Sequence, residues 1–86
     1  MSKETDDIIL KLMTFFKTDF PDIGIEITPQ TNLLTSLLVD SIDIVNTTLY
    51  IEKQFNINIG RADIKAENFQ TIESLAGFIQ TSLQGQ

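Results

Sequence analysis

Over the first stretch of the chain, apolar side chains recur at Ile8, Ile9, Leu12, Met13, Phe15 and Phe16, while Asp6, Asp7, Lys11 and Lys17 fill the other side. Spacings of three and four place the apolar set on one face of a helix. The pattern predicts a helix from about Lys3 to Thr18, stopped by the region of Pro21, since a proline disfavours helical backbone just before it. A long connection follows, "DFPDIGIEITPQTNLLTSLLVD". Ile23, Ile25 and Ile27 alternate as a strand would, but no second strand candidate offers a partner. They are read instead as plugs that press an ordered loop onto a helical core.

A second amphipathic stretch starts at Asp40-Ser41. Ile42, Val45, Leu49, Glu52 and Phe55 share one of its faces. Asp40 suits the N-cap, and Asp43 lies in the first turn, where negative charge meets the positive end of the helix dipole. This stripe predicts Ile42, Val45, Leu49 and Phe55 turned inward, with Ile44, Thr47 and Tyr50 turned outward. "NINIG" closes the helix, and "RADIKAEN" reads as one or two short helical turns. Thr71 can cap a last helix that holds Ile72, Leu75, Ala76, Phe78, Ile79 and Leu83, with Gly77 a mild weakness inside it. The expected fold is all-α: a small antiparallel four-helix bundle, three main helices plus a short one, with a long first loop.

Length and composition narrow the function. Eighty-six residues make a single domain spanning 1–86, and 42% apolar residues suffice for a packed core. The chain starts with Met and leaves no residues for a neighbour, so a free-standing protein is expected. No apolar run exceeds three residues, so no membrane insertion is expected. A net charge of −6 disfavours nucleic acid and fits basic protein partners. With neither cysteine nor histidine, a disulfide, a Cys/His metal site and a Ser–His or Cys–His nucleophile are all ruled out. The lack of cysteine suits a cytoplasmic location. "DIGIEITPQTNL" lacks the glycine and closing glutamate of a calcium loop, and no glycine-rich phosphate loop occurs. A non-enzymatic role follows, without metal.

Ser41 then stands out. Serine often starts a helix, and capping alone is one reading of it. The other is attachment, because an ordered apolar loop precedes Ser41, a capping aspartate adjoins it and an amphipathic helix follows.

"ITPQTNLLTSLLVDSIDIVN", "LYIEKQFNINI" and "ENFQTIESLAGFI" together resemble the acyl carrier protein family, the phosphopantetheine-bearing carrier domains, over nearly the whole chain. In that family the serine of an Asp-Ser-Leu motif carries 4′-phosphopantetheine through a phosphodiester, and Ser41 matches that serine, with Ile42 in place of leucine. The resemblance implies a carrier that holds acyl intermediates as thioesters, as in fatty-acid and lipid metabolism. A phosphopantetheinyl transferase and acyl-loading and acyl-transferring enzymes would be its partners, and a monomer its expected state. Asp40 would cap the helix and orient the transferase, Asp43 would offer a charged contact, and Ile44, Thr47 and Tyr50 would line the docking face. Asn46, Thr47, Thr48, Lys53 and Gln54 stand where bulk fatty-acid carriers have more acids and apolar residues. The glycine usual before the Asp-Ser pair is also replaced. Both departures favour a specialised carrier. The same alignment sets Thr48 beside the inward stripe, where its hydroxyl would interrupt an apolar chain tunnel. An aminoacyl or peptidyl carrier shares these features, and an unmodified helical adaptor is the reading from a different class.

Overall fold

The computed structural model describes residues 3–20, 26–36, 38 and 40–85. Every regular element among them is helical. In chain order these are α1 (Lys3–Asp19), α2 (Leu33–Ser36), α3 (Ser41–Phe55), a 3₁₀ turn (Arg61–Asp63), α4 (Ala66–Phe69) and α5 (Ile72–Gln84). The expected all-α bundle with three main helices is therefore found, and the "RADIKAEN" stretch supplies two short turns. The connection before α3 holds an additional one, α2. Asn32 starts it, because its side-chain oxygen accepts from the amides of Leu34 (3.1 Å) and Thr35 (3.3 Å).

α1 and α5 form the main packing pair. Ile8, Leu12 and Phe16 repeat every four residues on α1 and are buried, as are Ile72, Leu75, Ala76 and Ile79 on α5. At spacings of three and four these side chains line one face of each helix. The Thr5 hydroxyl donates to the Gln80 side chain and adds a polar link across the pair. α3 joins through the stacked rings of Phe15 and Tyr50, whose centroids lie 4.0 Å apart. The Tyr50 hydroxyl reaches the Lys11 carbonyl at 3.4 Å. Burial, then the charge of Asp19, pushes the Tyr50 phenol above its ordinary value, which keeps it a protonated donor.

The long connection is tied down rather than draped. Ile27, Leu33 and Leu38 are buried in the core. The Leu33 amide donates to the Gln70 carbonyl at 2.7 Å, and the Glu73 amide donates to the Pro29 carbonyl at 3.1 Å. The Gln30 amide group donates to the Glu73 carboxylate at 2.7 Å. Ile27 is thus the plug expected of it, while Ile23 and Ile25 lie outside the described residues. These bonds fix the stretch from Pro29 to Leu33 against the start of α5.

Candidate functional site

Asp40 adopts extended backbone (φ −115°, ψ 144°), and its carboxylate accepts from the Ile42 amide at 3.0 Å. Its own carbonyl accepts from the Asp43 and Ile44 amides at 3.0 and 3.3 Å. Asp40 is therefore the N-cap that the sequence predicted, and Ser41 is the first residue inside the helix. Ser41 is exposed, and among the described residues its hydroxyl has no hydrogen-bond partner. Of the other described serines, Ser74 is also near a helix start, but its hydroxyl accepts from Thr71 at 3.0 Å. Thr71 caps α5, as expected, by accepting from the Ser74 amide. Neither capping nor packing occupies Ser41.

The expected facing of α3 is reversed. Ile42, Val45 and Leu49, predicted inward, are 66%, 51% and 58% exposed. Thr47, predicted outward, is fully buried, and Ile44 and Tyr50 are half-buried against the core. Phe55 alone of the predicted stripe packs inward, and it too is only half-buried. The reason lies in a second stripe that periodicity weighs equally: Ile44, Thr48, Ile51 and Phe55, again at spacings of three and four. It wins because the threonines carry no unmet polar demand. Thr47 donates to the Asp43 carbonyl and Thr48 to the Ile44 carbonyl, both at 2.8 Å. Such back-bonding lets a threonine enter a core at little polar cost. Ile51 is fully buried, and Tyr50 gives this side aromatic area that the run of Ile42, Val45 and Leu49 lacks.

Two consequences concern function. Asp43 is partly exposed beside Ser41, but the expected docking residues Ile44, Thr47 and Tyr50 are largely withdrawn from the surface. Instead, Ile42, Val45 and Leu49 form a single exposed apolar stripe that starts next to Ser41. Contiguous exposed apolar area is the informative kind. Thr48, for its part, has a paired hydroxyl and lines neither of the two described concavities. The pocket near the start of α3 holds about 150 Å³, with walls of Leu34, Ile44, Ile64, Ala66 and Phe69 and with Lys65 at its edge. The stripe could have been found from the pair Thr47-Thr48, since adjacent threonines four residues after Asp43 and Ile44 are placed to bond back to both carbonyls.

Among the described residues no three metal-ligating side chains gather, and no helix is long and apolar enough to cross a membrane.

The family model described as phosphopantetheine attachment site matches residues 12–79. Aminoacyl carrier protein 1 of Bradyrhizobium diazoefficiens is 37% identical over 62 residues, which cover 72% of this chain and 68% of the relative. The chain thus belongs to the phosphopantetheine-attachment family, and it is a carrier protein bearing covalent 4′-phosphopantetheine rather than an enzyme.

Proposed function

We propose that Ser41 is the attachment residue, in a monomeric cytoplasmic carrier dedicated to a specialised cargo. The observation that carries this reading is the division of labour at the start of α3. Asp40 does the capping, so the exposed and unbonded hydroxyl of Ser41 is left for chemistry. The residues fit the group. A primary hydroxyl on the first residue of a fifteen-residue helix faces solvent, and a phosphodiester there would sit at the amide end that favours anions. The prosthetic group, when bound, supplies the thiol that this cysteine-free chain lacks. Histidine is absent as well, so the base that takes the Ser41 proton belongs to the phosphopantetheinyl transferase.

The exposed stripe Ile42, Val45 and Leu49, with Asp43 at its edge, is the surface on which the transferase and the acyl-handling enzymes dock in this reading. It replaces the face built on Ile44, Thr47 and Tyr50. The pocket supports a small cargo. With mostly apolar walls around about 150 Å³, it offers room beside a short acyl group. The acid-poor α3, with only Asp43 and Glu52 as acids, supports a service other than bulk fatty-acid or lipid synthesis. A second reading, an aminoacyl cargo, rests on the name of the relative from Bradyrhizobium diazoefficiens. Its ammonium would stay outside so apolar a pocket.

Incubation with CoA and a phosphopantetheinyl transferase, followed by intact mass measurement, tests the attachment. The wild type should gain one phosphopantetheine and Ser41→Ala none. A modified alanine variant, or an unmodified wild type, refutes it.

A further inference from the structure

The larger of the two described concavities lies away from Ser41. It is an open groove of about 430 Å³ bounded by the first half of α1, the end of α3 and the end of α5. Ser41 and Phe55 stand at the two ends of α3, about 21 Å apart at a rise of ~1.5 Å per residue. Ile8, Phe55 and Leu83 give the groove apolar walls, and Leu83 is among the exposed large apolar residues. Glu4 and Asp7 stand on its α1 side, exposed and, among the described residues, without an ion pair. Lys11, the cation that also lines it, lies 5.7 Å over the Phe55 ring.

Helix chemistry accounts for part of this arrangement. Glu4 is a first-turn acid and offsets the positive end of α1. Asp7 lies beyond that turn and has no such role. The groove also receives the carbonyl ends of α3 and α5, which carry partial negative charge. Apolar walls under a negative rim fit a cation on an apolar stem, the lysine or arginine side chain that buries its methylenes and keeps its head in water. The net charge of −6 steers basic protein surfaces toward the molecule.

We infer that this groove is a second docking point, which receives a lysine or arginine beside an apolar residue of a partner protein. A partner held there leaves the start of α3 uncovered, so the carrier can stay tethered while Ser41 faces another enzyme. The inference does not depend on Ser41 being modified.

Amide chemical shifts during titration with acetyl-Arg-Leu-amide, and with neutral acetyl-Gln-Leu-amide, test it. The arginine dipeptide should move amides near Asp7 to Lys11, Phe55 and Leu83, and bind several-fold tighter than the glutamine one. Glu4→Gln with Asp7→Asn should weaken it about two- to five-fold, as loss of exposed ion pairs does, with an unchanged circular dichroism spectrum. Added salt should weaken it similarly. Equal response to both dipeptides, shifts centred on Ile42, Val45 and Leu49, or no shifts would overturn the inference. Concentration-dependent shifts at the groove without peptide would also overturn it, by assigning the groove to a second copy of the chain.

Discussion

Two neighbouring residues divide the work at the start of α3, and substitution separates them. Asp40→Ala removes the carboxylate that accepts from the Ile42 amide, so it should cost about 0.5–2 kcal/mol of stability. Ser41→Ala removes a hydroxyl with no partner among the described residues and should change stability by less than about 0.5 kcal/mol. Urea melts of both variants check this, and equal losses would mean that Ser41 shares the capping. Thr48 makes a similar case inside the core. Its hydroxyl donates to a carbonyl already placed to serve the helix ladder, so removal orphans nothing. Thr48→Val should shift stability by less than about 1 kcal/mol in either direction, and the melting gain on acylation should not change. A clear change in that gain would place Thr48 at the cargo after all.

At the scale of the element, α3 has two apolar faces with opposite duties. Ile51 belongs to the core, so Ile51→Ala should cost about 2–5 kcal/mol. Leu49, on the exposed stripe, can become serine for less than about 1 kcal/mol. Leu49→Ser should nonetheless slow phosphopantetheinylation about tenfold in kcat/KM, the effect of losing ~1.4 kcal/mol at an apolar anchor. Asp43→Asn should slow it less, and its effect should fade as salt screens the charge, while that of Leu49→Ser persists. Rates for the two variants at low and high salt decide between apolar and electrostatic docking. A larger loss from Asp43→Asn at both salts would favour the electrostatic one.

At the scale of the whole molecule, a small domain has a thin margin, and its irregular segments must contribute to the core. Ile27 sits in a connection, yet it is as buried as the helical core residues. Ile27→Ala should therefore cost about 2–5 kcal/mol in a urea melt, as a core helix residue would; a loss under about 1 kcal/mol would mean that the connection only drapes over the bundle. The sequence made that plug legible because an alternating run without a pairing partner has to pack elsewhere. It made α1 and α5 legible because each has a single apolar stripe. It left α3 ambiguous because Ile42, Val45 and Leu49 and the opposing Ile44, Thr48 and Ile51 are equally periodic. Packing of Tyr50 against Phe15, a tertiary fact, and the local back-bonds of Thr47 and Thr48 decided between them. α2 was hidden by its length of four residues, with Asn32 its only signal. At the site, the Asp40 cap was legible from its place before the helix and Ser41 stood out through the family resemblance, whereas the exposed stripe could be reached only through the facing of α3, for which the pair Thr47-Thr48 was the available signal. The most direct test of the central claim is tandem mass spectrometry of the proteolysed wild type after treatment with CoA and a phosphopantetheinyl transferase. One modified peptide is expected, with fragments that bracket the phosphopantetheine at Ser41. Fragments that place it on Ser36, Ser74, Ser82 or any other residue would contradict it.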